Sequence, residues 1–297
     1  MEPVEPTLLN PEVPAIPEPI FLPPPAPPRQ RVWLHVLLFV LTVCSTIWVG
    51  AQAGSLHEGI VFSAGLLSIL TAHEFGHYFT ARKYRVPVSL PYFIPFPFSL
   101  FGTLGAFIRM SPRIPNRKAL FDIAAAGPLA GLALAIPLAY RGITLSTILQ
   151  KSAVPVNSVK LGEPLLFQGL SWLAHGSLGS NFDLMLHPLA FAGWAGMFVT
   201  ALNLLPIGQL DGGHISHALF GSRSRLVAGS MFGGLALFCL VKQNVTWIPL
   251  LLFLLFFGIQ HPRSYHEGPP LDRGRRALGI LLGAVFLVCF SLVPIKL

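Results

Sequence analysis

Five consecutive residues, His73, Glu74, Phe75, Gly76 and His77, carry the clearest chemistry in the chain. On a helix, residues four apart project from one face a turn from each other, so the two imidazoles would converge. In this H-E-x-x-H spacing the histidines hold a zinc ion and the intervening glutamate acts as base toward a metal-activated water. The competing reading is a pair of core histidines with satisfied hydrogen bonds. Context separates the two. The group lies in the second half of an apolar run over residues 60–81, long enough to cross a bilayer as a helix. A carboxylate and two imidazoles are costly at that depth unless they are paired or bind an ion. The residues therefore read as a zinc site, with His73 and His77 as ligands and Glu74 as the catalytic acid/base.

A third ligand must come from elsewhere in the chain. Near Asp211 a helical pattern is interrupted by Asn203, Pro206, Gly208 and the pair Gly212 and Gly213. A broken helix at membrane depth is tolerated where it lines a cavity, and it can aim a carboxylate inward. Asp211 then completes a two-histidine, one-carboxylate set with a fourth position open to water. Taken alone, it also fits a helix-end or turn aspartate. His214 and His217 lie close by in sequence, as alternative ligands or as a polar rim.

The elements that position these residues are those of a membrane protein. Of 297 residues, 53% are hydrophobic and 11% charged, with a mean hydropathy of +0.65. An excess of 20 Lys and Arg over 12 Asp and Glu would suggest nucleic acid in a soluble domain. Here it reads as charge flanking the helices, so a lipid bilayer is the expected surrounding and no nucleic acid is expected. Cys44, Cys239 and Cys289 all sit in apolar runs without C-x-x-C spacing and read as packing residues.

Spans are expected at about 32–51, 60–81, 119–140, from 186 into the Asn203 break, 226–240, 245–259 and 277–293. Between 86 and 110, Pro87, Pro91, Pro95 and Pro97 forbid a regular helix, and residues 103–110 read as a strand after a glycine turn. The fold class expected is an all-α polytopic membrane protein with about six to seven transmembrane helices and a short membrane-embedded β-hairpin or re-entrant loop beside the metal. Gly127 and Gly131 form a small-x-x-x-small pair that lets another helix approach closely. Asp122 suits the positive end of its helix. A short amphipathic helix is expected around 163–173.

Eleven of the first 28 residues are proline and Glu2, Glu5, Glu12 and Glu18 make the segment acidic. Residues 1–30 thus read as a disordered tail without secretory or transit signal, ahead of a membrane domain at 31–297. With the N-terminus in the cytosol, fifteen Lys and Arg fall on the cytosolic side and five opposite, in accord with the positive-inside rule. The metal then lies toward the cytosolic face.

With both motifs placed, the chain resembles the site-2 proteases, zinc intramembrane metallopeptidases. The resemblance rests on His73 to His77, on Gly127, Pro128 and Gly131, and on Asn203 and Pro206 leading to Asp211 and Gly212; it covers roughly 60–140 and 186–225. It implies one zinc per chain on His73, His77 and Asp211, Glu74 as acid/base, Asn203 in the active site, and a transmembrane protein as substrate. It points to the compact bacterial and plastid branch without PDZ or CBS domain, and a bacterial cytoplasmic membrane is the expected location. A membrane zinc transporter or sensor and a proteolytically silent scaffold are the rival readings; neither needs Glu74.

Overall fold

Residues 31–52, 54–154, 159–243, 247–257 and 269–296 are described in the computed structural model. The expected tail at 1–30 lies outside them, and of the expected span at 245–259 only residues 247–257 are described. Helix α1 (Val32–Ala51) is built the reverse way from a soluble helix: Val36, Leu37, Val40 and Leu41 are exposed, while His35, Thr42, Ser45 and Thr46 are buried. That inversion suits a lipid surround, where apolar side chains need no shelter and polar ones do. The Thr46 hydroxyl meets that of Ser63 at 2.6 Å, tying α1 to α2 (Leu56–Lys83). A reciprocal capping box between Ser55 and Glu58 starts α2, and Arg82 and Lys83 close it against the negative end of its dipole.

The chain then turns through an antiparallel hairpin, β1 (Tyr92–Pro95) and β2 (Thr103–Phe107), with Tyr92 opposite Phe107 and Phe93 opposite Ala106. Gly102, at φ +74°, supplies the left-handed turn before β2. Helix α3 (Arg117–Thr144) is capped by the Asn116 side chain, which accepts from the Ala119 amide at 2.9 Å. On the far side from the hairpin come β3 (Thr147–Gln150), β4 (Lys160–Leu161), α4 (Leu165–His175) and β5 (Phe182–Met185). β3 pairs with β5, and β4 with a last strand β6 (Ile295–Lys296). Next are α5 (Pro188–Asn203), α6 (Asp211–Phe220), α7 (Ser224–Lys242), α8 (Ile248–Phe257) and α9 (Arg273–Cys289).

The inner bundle is α2, α3 and α5, whose Phe62, Leu66, Ile69, Leu132, Ala135, Ala139, Trp194 and Met197 form one buried cluster. Glycine and alanine let the axes close up: a Cβ on Gly193 would lie 2.6 Å from that of Ala139. At Gly76 a Cβ would lie 2.5 Å from the carbonyl oxygen of Ala126, so α2 and α3 touch backbone to backbone beside the histidines.

Part of the expected set of six to seven spans is seen as long apolar helices. Four stretches among the described residues are long and apolar enough to cross a membrane: α1, α2, α3 and Asp211–Lys242, which joins α6 and α7 through a one-turn 3-10 segment. α5 has 16 residues and α9 has 17. α5 ends at Asn203, which lines the cavity described below, with Pro206 three residues further on. The expected amphipathic helix is α4; the strands β3 to β5 around it had no distinct signal.

Basic residues sort to the two ends. Lys83 closes α2, Arg117 and Lys118 open α3, and Arg223, Arg225 and Arg273 stand at the α6–α7 junction and the start of α9. Arg141 and Lys242 lie at the other ends of α3 and α7, and Lys160 stands in β4, which pairs with β6 beyond α9. Arg275 clasps the first pole together: it donates to both carboxylate oxygens of Asp122, at 2.7 and 2.6 Å, while Tyr84 donates to the same carboxylate at 2.5 Å. Arg275 also pairs with Asp272, the cap of α9. Its backbone amide and guanidinium hold the Asp272 carboxyl down to about 2. Asp122 is thus an ion-pair partner joining α3 to α9, rather than a free charge at its helix start.

Candidate metal centre

His73 and His77 leave α2 one turn apart, both buried, with their rings edge to face at 74°. Their Nε2 atoms approach to 3.1 Å. Asp211 Oδ2 stands 3.2 Å from each Nε2. The three ligand atoms converge as a divalent metal requires. The other nitrogen of His77 tests the fit. Nδ1 lies 2.8 Å from the Ile123 carbonyl and must donate to it, which leaves Nε2 of the neutral ring an acceptor. Acceptor facing acceptor and carboxylate is unfavourable unless a cation lies between them. The residues fit a metal, and the Ile123 carbonyl fixes the ring that would hold it.

α3 is shaped to receive these rings. A Cβ on Gly127 would overlap the His77 imidazole, and one on Gly131 would stand 3.3 Å from His73 Nδ1. The small-residue pair therefore makes room for imidazoles as well as for a helix. Asp211 is aimed by its surroundings too. It is the first residue of α6, and the next two positions press on the preceding loop: a Cβ on Gly212 would enter the Leu204 carbonyl, and one on Gly213 would strike that of Gly208. Only glycines let α6 begin this close to the Asn203 break.

Glu74 is buried at 6% exposure and lines a cavity of about 420 Å³ with the three ligands, Asn203 and the exit of β2. Ile108, just past the end of β2, lines the same cavity. The Asn203 amide nitrogen comes within 3.2 Å of His73 Nε2. All five residues singled out in the sequence are thereby brought to one cavity. His214 and His217 line it as well, outside the converging triad, and His217 Nδ1 meets the Ser224 hydroxyl at 3.0 Å. The sequence reading missed the Ile123 carbonyl, which no side-chain pattern could reveal.

A bundle of apolar helices around a buried His, His, carboxylate centre, with an acid between the histidines, defines a membrane metallopeptidase-like fold. The chain belongs to peptidase family M50, whose description matches residues 61–241. Among similar proteins, the probable zinc metalloprotease EGY1, chloroplastic, of Oryza sativa subsp. japonica is 36% identical over 315 residues, covering 91% of this chain and 52% of the relative. EGY1 of Arabidopsis thaliana is 36% identical over 172 residues, 56% of this chain and 30% of the relative. The probable zinc metalloprotease EGY2, chloroplastic, of Oryza sativa subsp. indica is 33% identical over 202 residues, 67% and 36% respectively. The chain thus spans about half the length of the first of these and about a third of the others. No solved structure matches it.

Proposed function

We propose that the chain is a zinc endopeptidase that cuts membrane-embedded segments of other proteins. The observation that carries this reading is the Glu74 carboxyl set in one cavity with His73, His77 and Asp211. Zinc held there supplies Lewis-acid activation of water and of the scissile carbonyl. Glu74 takes the proton from the attacking water and returns it to the leaving amide nitrogen, so the same group is base and then acid. The Asn203 amide donates toward the carbonyl oxygen as negative charge develops there.

A helical substrate hides its peptide bonds in its own hydrogen bonds and must unwind to be cut. Amides freed inside a bilayer cost several kcal/mol each unless re-paired, by the general estimate of about 2–7 kcal/mol. β2 and its exit, which wall the cavity, offer an edge that takes up those amides by strand addition. Glu74 favours this over a transport or scaffold role, since neither needs a base between the ligands. The site lies toward the basic pole: His77 is five residues from Arg82, about 7.5 Å at the helical rise of about 1.5 Å per residue. We place that pole in the cytosol or its equivalent compartment. The relatives' names put them in chloroplasts and lend no support to a bacterial cytoplasmic membrane.

The test uses the purified protein in lipid nanodiscs with a single-span substrate. Cleavage should cease on chelation and return with Zn²⁺. Cleavage that survives complete metal removal contradicts the proposal.

A further inference from the structure

His35 is an expensive residue where it stands. It lies in the first turn of α1 at 5% exposure, and its Nε2 has no hydrogen-bond partner. An apolar side chain would fill the place without leaving a buried nitrogen unsatisfied. What the imidazole gains is on its other side. Nδ1 donates to the carbonyl of Pro91 at 3.1 Å, at the entry to β1. Its ring packs on Tyr92 with centroids 4.1 Å apart, and Tyr92 stacks in turn on Phe107 at 5.3 Å and 22°.

These contacts form a relay to the catalytic cavity. Tyr92 and Phe107 face each other across the two strands. Phe107 and the next residue, Ile108, line the same cavity as Glu74. A second attachment sits at the turn end of the hairpin, where the Ser45 hydroxyl donates to the Gly102 carbonyl at 2.6 Å. A Cβ on Gly102 would lie 2.6 Å from the Ser45 carbonyl oxygen, so strand turn and helix are in backbone contact there. α1 therefore grips the hairpin at both ends. It does so from outside the family's matched region, which starts at residue 61.

We propose that His35 is a positioning residue for the peptide-cutting site: through Pro91, Tyr92 and Phe107 it fixes the height of the β1–β2 hairpin over Glu74, and so the register in which a substrate strand is presented. This rests on the endopeptidase reading. The entry end is also bonded limb to limb, Ser89 N–H to the Arg109 carbonyl and Ser111 N–H to that of Pro87, but those bonds join the hairpin to itself, and strands of four and five residues are marginal alone. Asparagine can present an amide N–H much as His35 presents Nδ1–H, whereas leucine fills the space without donating.

The experiment compares His35→Leu and His35→Asn in nanodiscs against wild type, with Glu74→Gln as the cleavage-dead control. Three readings are taken: KM and kcat on a single-span substrate, the position of the cut by mass spectrometry, and hydrogen exchange of the hairpin amides. His35→Leu should raise KM about tenfold, the worth of one hydrogen bond, spread the cut over neighbouring bonds and speed exchange of the hairpin, with bound zinc unchanged. His35→Asn should stay within about twofold on KM, as expected when the lost and restored interaction is the same bond. A leucine variant with normal KM, a single cut site and normal exchange overturns the proposal. So does an equal loss of kcat in both variants at constant KM, which would mark a role in stability alone. Absence of cleavage by wild type would count against the endopeptidase reading instead, while the exchange data would still decide whether His35 holds the hairpin.

Discussion

Alanine at Gly127 disturbs the metal centre while leaving every ligand in the sequence. The new Cβ would meet Nε2, Cε1 and Cδ2 of His77, and even the farthest of the three would be only 2.6 Å away. Non-bonded heavy atoms settle about 3.5–4.0 Å apart, so the ring must retreat by about 1 Å or more. Metal–ligand distances tolerate only about 0.2 Å, and the displaced Nε2 is itself a ligand atom. Retreat of the ring also breaks the bond from Nδ1 to the Ile123 carbonyl. We expect zinc affinity to fall at least about 100-fold, the upper end for loss of an outer support and about 2.7 kcal/mol. Gly131→Ala is the matched control, because its Cβ would stand 3.3 and 3.4 Å from His73 Nδ1 and Cβ, a contact relieved by a few tenths of an ångström. It should keep zinc within about tenfold of wild type. The assay is competition for zinc against chelators of graded strength, with the folded fraction followed by gel filtration. Gly127→Ala protein that is folded and holds zinc as tightly as wild type would refute the claim that α3 is shaped around the ligand rings.

Other outcomes follow from the same arrangement. Proline at Ala106 removes a donor from β2 opposite Phe93; cleavage of a transmembrane substrate should fall about tenfold or more with zinc retained, and a normal rate would rule out strand addition there. Asp122→Asn strips the fork from Arg275 and should destabilise the protein by about 1–3 kcal/mol in denaturant titrations, whereas an unchanged midpoint would mean that the α3–α9 clasp contributes nothing. Reporter fusions after Lys83, Arg225 and Arg273 should all face one compartment and those near Lys160 and Lys242 the other; a cytosolic signal at Lys160 would overturn the orientation.

The site was legible in the sequence because its chemistry is local. His73 and His77 share a helix turn, Glu74 lies between them, and Asp211 is marked by the residues that break a helix around it. The break at 203–211 and the prolines before the hairpin were readable for the same reason: both are violations of an otherwise regular apolar pattern. What was not legible depends on distance in sequence. Asp122 gave no hint of Arg275, 153 residues away, and its charge was read against its own helix end instead. Gly127 was read as a contact for another helix; the helix is α2, and what the sequence could not show is that the His77 imidazole fills the space. Of the six to seven spans expected from composition, four among the described residues are long and apolar enough to cross a membrane, and α5 stops at Asn203 after 16 residues. The pairs β3–β5 and β4–β6 join segments far apart in the chain, and two to four residues carry too little periodicity to announce a strand.

The central claim is that Glu74 performs proton transfer at a metal held by other residues. Its most direct test is Glu74→Gln, an isosteric change that spares His73, His77 and Asp211, measured for zinc content and for cleavage of a single-span substrate in the same nanodisc preparation. The account predicts about one zinc per chain, as in wild type, and a cleavage rate lower by about 10² to 10⁴, the range for loss of a general acid–base. A Gln variant that cuts at the wild-type rate would contradict it.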